Sequence, residues 1–359
     1  MKKIVIAAWG EPTDEKVWSK TPSILVKRFS DDEEDLETFN LQSFEKSWVK
    51  ILSKIISKLF RLRIMTRSFL VHYFYEKKYD GFIKNHTGDK ILFIAEHCSK
   101  RSYQDVGQYV YMDSVLRPYY KYDKKTSLFA KLQLSQYEAC DKRSLKSMTK
   151  IFTQNQWTKD FLVNEYSIDE SKVFNVHFGV NLKPLQVEKN YEENLLLIVL
   201  RKGTERLKGL NLLLEAFPIV KKAVPNVRLA VVGTQGPDIE GIDYYYNQPR
   251  EVTVELFKRS TLYTMPALFE PNGITYLEAL ANKTPIVGLN RFALPEFTGY
   301  GKYGFIVSQP DKKELAEVII SALSDKEKLS QMGSDGQKYV MSNFSWQTTY
   351  EVIKNEMYK

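Results

Sequence analysis

The chain reads as two α/β domains in series, each built on a parallel sheet. Short apolar, β-branched runs recur along its whole length with helical stretches between them, the pattern that strands covered on both faces require. At 359 residues it is long for one domain, so two of ordinary size are expected. A polar stretch with a proline, NLKPLQVEKNYEEN (181–194), separates one strand set from the next. The domains are therefore set at 1–183 and 184–342, followed by a closing helix over 343–359.

In the first half, KIVIAA (3–8), KILFIAE (90–96), QYVYMD (108–113), KIFTQN (150–155) and VFNVHFG (173–179) read as strands. In the second half, NLLLIVLR (194–201), VRLAVVG (227–233), LYTMPA (262–267), TPIVGLN (284–290) and GFIVS (304–308) do the same. Helices are expected over 209–223, 251–260, 273–282 and 311–323, with a helical pair in the tail 325–359. The acidic run DDEEDLE (31–37) reads as a solvated loop or helix edge, and GIDYYYNQPRE (241–251) as a loop.

Composition narrows the function. Hydrophobic and charged shares of 43% and 27% are globular values. Cys98 and Cys140 lie too far apart for a disulfide framework or zinc spacing, which suits a reducing cytosol. MKKIVIAAWGEP starts basic, but its apolar run stops at Trp9 without a small-residue cleavage site, so it reads as a strand rather than a signal peptide. No run of 18 apolar residues suggests a membrane span. A net charge of +8 favours acidic partners such as phosphates or an anionic bilayer; without an arginine-rich or RNP-like motif, nucleic acid is not expected. No D-x-D pair offers oxygen ligands to Mg²⁺ or Mn²⁺, and His72, His86 and His177 have no metal-ligand spacing, so no metal and no cofactor is expected.

The chemistry concentrates in ALFEPNGITYLEALANKTPIVG (267–288). Pro271, Asn272 and Gly273 form a turn, and a helix opens at Ile274 and Thr275 and ends near Asn282. Ile274, Leu277, Leu280 and Ala281 share one side, with Glu278 next to it. A carboxylate there is costly unless it meets donors, and ribose hydroxyls would serve. The helix start exposes N–H groups suited to a diphosphate, and Gly273 allows a ligand close to the backbone. Glu270, just before the turn, would lie near whatever the diphosphate carries.

Glu270 and Glu278, with seven residues between them, resemble the E-x7-E signature of retaining glycosyltransferases of the GT-B fold, especially family 4. That family's wording is close to E-P-F-G-L-x-x-x-E-A; here Asn272 and Ile274 replace the common aromatic and leucine, while the glycine and the amides are kept. RKGTERLKGLNLLLEAF (201–217) resembles the family's basic segment. By that likeness Lys208 and one of Arg201 or Arg206 would neutralise the leaving diphosphate, ammonium as a point charge and guanidinium as a fork. The usual Gly-Arg-Leu spacing is absent, which leaves the arginine open. VFNVHFGVNL (173–182), RFALPEFTGYGKYGFIV (291–307) and NFSW (343–346) follow in the family's order.

The resemblance implies two Rossmann-like domains facing across a cleft, the first binding acceptor and the second a nucleotide-sugar donor, with 343–359 packing back on the first. It implies Gly10 as a donor-phosphate contact, although GEPTDEKVWSKTPS (10–23) lacks the family's second glycine. It places His97, at the end of KILFIAEH, beside the transferred sugar, where ligands gather in open α/β sheets. Asp113 and Glu138 read as structural. The implied enzyme is a retaining, metal-independent hexosyltransferase using a UDP- or GDP-linked sugar, with Glu270, His97 and Lys208 catalytic. Its acceptor would be a saccharide, a lipid-linked sugar or a protein, in bacterial polysaccharide or glycoconjugate synthesis. The segment 46–67 places Trp48, Ile51, Leu52, Ile55, Leu59 and Leu62 on one helical face among lysines and arginines. It reads either as an interfacial membrane helix, which would put the enzyme at the cytoplasmic face of the membrane, or as a helix packed on the first domain. Rival readings are a sugar-nucleotide epimerase, a non-catalytic subunit of another transferase, and a basic membrane-surface scaffold.

Overall fold

The computed structural model describes residues 3–45, 51, 55, 69–95, 101–115 and 128–359. Among them, twelve strands form two six-stranded parallel sheets. The first sheet runs in the order β2 (Leu36–Asn40), β1 (Ile4–Ala8), β3 (Lys90–Ile94), β4 (Gly107–Met112), β5 (Lys150–Thr153) and β6 (Val173–Asn175). The second runs β12 (Gly304–Val307), β11 (Ile286–Leu289), β10 (Leu262–Thr264), β7 (Leu195–Val199), β8 (Arg228–Val232) and β9 (Ile242–Tyr245). The chain divides into one unit of Met1–His177 with Trp346–Lys359 and another of Phe178–Ser345. The first unit thus ends before residue 183, because Phe178 already packs on Phe297 and Phe344 and the Val180 N–H donates to Phe344 O.

Burial explains the strands. β1 is fully covered along its length, as its uninterrupted apolar run requires. β2 and β9 lie at sheet edges and are mostly half-buried, so neither carries an apolar run. The acidic run is therefore not a free loop: its last residues enter β2, where Leu36 pairs with Ile4. Residues 242–245 likewise form a strand rather than a loop.

In the first unit the described helices are α1 (Thr21–Asp31), α2 (Phe69–Lys84), α3 (Leu128–Ser147) and α4 (Gln156–Asn164). The second holds α5 (Leu210–Ala223), α6 (Arg250–Arg259), α7 (Ile274–Ala281), α8 (Leu294–Phe297), α9 (Lys312–Ser324) and α10 (Lys326–Asn343). The last helix, α11 (Trp346–Tyr358), returns to the first unit. The acidic run anchors it: Asp32 accepts from Tyr350 Oη (2.6 Å) and Lys354 Nζ (2.7 Å), and Glu34 pairs with Lys354 (2.9 Å). These carboxylates hold the Lys354 ammonium well above its ordinary range.

The polar stretch 181–194 is strapped to the second unit rather than loose. Leu185 N donates to Ala281 O (3.0 Å) and Tyr191 Oη to Lys283 O (2.6 Å). Lys189 is buried, with Nζ 2.8–2.9 Å from Phe257 O, Lys258 O, Asn282 O and Thr284 Oγ1. Those carbonyls close α6 and α7, so one cation sits at the negative ends of two helices. Burial pushes its ammonium down to about 7, while the surrounding oxygens pull the other way. Among the described residues, no helix is long and apolar enough to cross a membrane.

Candidate functional site

In the second sheet β7 lies between β10 and β8, so successive crossovers leave in opposite directions there. Such a reversal opens a crevice at the carboxyl ends of the strands, where open α/β sheets bind ligands. Two loops emerge at that point, 200–209 after β7 and 265–273 after β10. They are stitched together: the Leu268 and Phe269 N–H groups both donate to Leu207 O, at 2.8 and 3.1 Å.

Each loop ends on a left-handed glycine that precedes a helix. Gly209 (φ +81°) comes so close to the second loop that a Cβ would lie 2.0 Å from Pro266 O. Gly273 (φ +75°) would put a Cβ 2.3 Å from the Tyr276 ring. Only glycine fits either place. Neither supplies a side-chain cap to α5 or α7, whereas Asp311 and Asp325 cap α9 and α10. The Ile274 and Thr275 N–H groups at the start of α7 have no partner among the described residues. The Thr275 hydroxyl is held by Tyr263 Oη (2.7 Å), and Asn272 is buried in the turn.

Lys208 and Glu270 bridge the two loops as a direct ion pair, with side chains 24% and 11% exposed. Burial and the nearby positive charge of Arg201 press the Lys208 ammonium down to about 8; contact with the Glu270 carboxylate opposes them. Arg201 is thus the arginine whose charge reaches Lys208, while Arg206 is exposed and its carbonyl receives the Gly209 N–H. The first loop is braced by Glu205, which accepts from Gly203 N (3.0 Å) and Thr234 Oγ1 (2.8 Å). No motif marks Glu205 in the sequence.

Glu278 is buried on α7, and burial raises its pKa. Its partner is Arg250, the first residue of α6, whose Nη2 donates to Oε1 at 3.0 Å. Arg250 has no fixed spacing to Glu278, so the sequence offers no signal for the pair.

In the first unit, Gly10 follows β1 and its N–H donates to Asn40 Oδ1 (3.2 Å). Asp113 O accepts from Asn155 Nδ2 (3.1 Å) and Thr158 Oγ1 (2.8 Å), and Glu138 is half-buried on α3. His97, Cys98 and the segment 46–67, apart from the exposed Ile51 and Ile55, lie outside the described residues.

Residues 183–339, which contain Lys208, Glu270, Gly273, Glu278 and Arg250, match the family model described as glycosyl transferases group 1. This stretch is similar to the group 1 glycosyltransferases. Over 276 residues the chain is 26% identical to spore coat protein SA of Bacillus subtilis, covering 67% of this chain and 70% of that protein. It is 27% identical over 161 residues to a GDP-mannose-dependent alpha-(1-6)-phosphatidylinositol monomannoside mannosyltransferase of Mycolicibacterium smegmatis. That second match covers 39% of this chain and 42% of the relative. Among solved structures, sucrose-phosphate synthase from Thermosynechococcus elongatus matches with a TM-score of 0.71 and 14% identity, over 99% of this chain and 98% of that one. The chain therefore shares the two-sheet GT-B architecture of that neighbour.

Proposed function

We propose that the chain moves a hexosyl group from a UDP- or GDP-linked sugar to an acceptor hydroxyl, with retention of configuration and without a metal. The carrying observation is the Lys208–Glu270 pair set beside the uncapped start of α7. A diphosphate needs positive charge and free N–H groups, and a hexose needs a carboxylate to orient its hydroxyls; the two loops bring all of these to one place.

On this reading the donor's diphosphate draws Lys208 away from Glu270, with Arg201 adding charge and the Ile274 and Thr275 amides completing the cradle with Asn272 and Gly273. Glu270, freed, accepts from the sugar hydroxyls, and Glu278 accepts from the ribose. As the bond from the anomeric carbon to the diphosphate oxygen breaks, positive charge grows on the sugar ring and negative charge on the leaving group. The acceptor oxygen bonds to the anomeric carbon from the same face, and its proton passes to a diphosphate oxygen. From the first unit, Gly10 would contact the donor phosphate and His97 the sugar. The acceptor would be a saccharide, a lipid-linked sugar or a protein, met in the cytoplasm at the inner face of the membrane, with segment 46–67 as a peripheral contact. The mannosyltransferase relative, whose name carries both a nucleotide sugar and a glycolipid, supports this setting.

A thermal-shift panel of UDP, GDP, ADP and their sugar conjugates tests the reading. A nucleotide at a hundred times its dissociation constant should add about 2.7 kcal/mol of stability. Glu278→Ala should abolish the response. If none of the panel stabilises the folded wild-type chain, the transferase reading is withdrawn and a non-catalytic subunit takes its place.

A further inference from the structure

Arg250 is badly placed for its own helix. Pro249 gives α6 no side-chain cap, and a cation in the first turn opposes the helix dipole. What the residue gains lies on α7: one Nη2 donor at 3.0 Å from Glu278 Oε1. The two side chains are unequally covered, 59% exposed for Arg250 and 9% for Glu278. Only one guanidinium nitrogen is engaged, in place of the two-point fork that arginine makes with a carboxylate it merely neutralises. Among the described residues, the bond from Arg250 to Oε1 is the one hydrogen bond made to the Glu278 carboxylate.

Among the described residues no other group does this work. The Tyr263 phenol acts on Glu278 electrostatically, yet it donates its proton to Thr275. α8, α10 and β11 also pack against α7, and none brings a charge to bear on Glu278 among the described residues. A buried carboxylate stripped of its one cation takes up a proton more readily and loses strength as an acceptor.

We propose that Arg250 is a positioning residue of the donor site: it holds one oxygen of Glu278 so that the other accepts from the ribose hydroxyls of a nucleoside diphosphate. The proposal rests on the donor-site reading above and assigns to a residue outside the E-x7-E pair the task of making that pair's second carboxylate competent. Ribose recognition should then depend on a surface arginine that does not touch the sugar.

The test compares wild type with Arg250→Gln, Arg250→Lys and Glu278→Gln in two readouts. The first is the Glu278 carboxyl titration by carbon NMR without ligand. The second is the affinity for UDP, GDP and their 2′-deoxy forms at about pH 8 and about pH 5.5. Arg250→Gln should shift the Glu278 titration upward, cost about tenfold in ribonucleotide affinity at the acid pH, and erase the preference over the deoxy form. Arg250→Lys should restore part of both. Glu278→Gln should lack the preference at either pH, with no further effect of Arg250→Gln. An unchanged Glu278 titration in Arg250→Gln overturns the proposal, as does an unchanged ribose preference. If wild type binds neither nucleotide, the donor-site reading falls and this proposal falls with it, even where the titration shows the ion pair intact.

Discussion

Lys208→Ala should lower turnover by about 100- to 1,000-fold, the usual effect of removing one group that stabilises charge developing in a transition state. The ammonium is the cation best placed for a leaving diphosphate, since it stands between the two switch-point loops and already meets a carboxylate there. Removing it also strands Glu270, which is 11% exposed, so turnover is to be compared per folded molecule. The same group sets a pH limit. With the ammonium pressed down to about 8, raising the pH through that value removes the positive charge, and diphosphate affinity should fall on the alkaline side. Lys208→Arg keeps a cation at high pH and should carry that limit upward. A Lys208→Ala enzyme that turns over like wild type would remove this lysine from the chemistry.

Lys189→Met should destabilise the second unit by about 1–3 kcal/mol, the cost of leaving buried backbone acceptors without their donor. Methionine keeps most of the side chain's bulk but supplies no donor to Phe257 O, Lys258 O and Asn282 O, which close α6 and α7. The loss falls mainly on Lys258 O, since Phe257 O keeps the Ser260 and Thr284 hydroxyls and Asn282 O that of Thr284. The denaturant midpoint of the second unit should drop, and nucleotide affinity should suffer because Arg250 and Glu278 stand on those two helices. A midpoint within error of wild type would mean that water or a neighbouring side chain replaces the amine.

The central strands were legible because burial on both faces demands apolar runs, as in KIVIAA and NLLLIVLR. The edge strands β2 and β9 were not, since a half-buried edge can hold Glu37 or Asp243 without cost. At the candidate site, Glu270, Gly273 and Glu278 stand out through spacing along the chain, and Lys208 through the family resemblance of 201–217. Arg250 and Glu205 do not, because their partners are joined only by the crossover order of the sheet. Lys189 was hidden for another reason: a lysine within NLKPLQVEKNYEEN looks solvated until the helix ends it closes come together.

Hydrogen exchange of the intact chain with and without UDP or GDP, at a concentration that stabilises it, shows which amides the diphosphate covers. Exchange should slow at Ile274 and Thr275 and across loop 200–209, where the diphosphate meets free amides and Lys208. Stabilisation with these amides unchanged, and slowing confined to another part of the molecule, would contradict the donor-site reading.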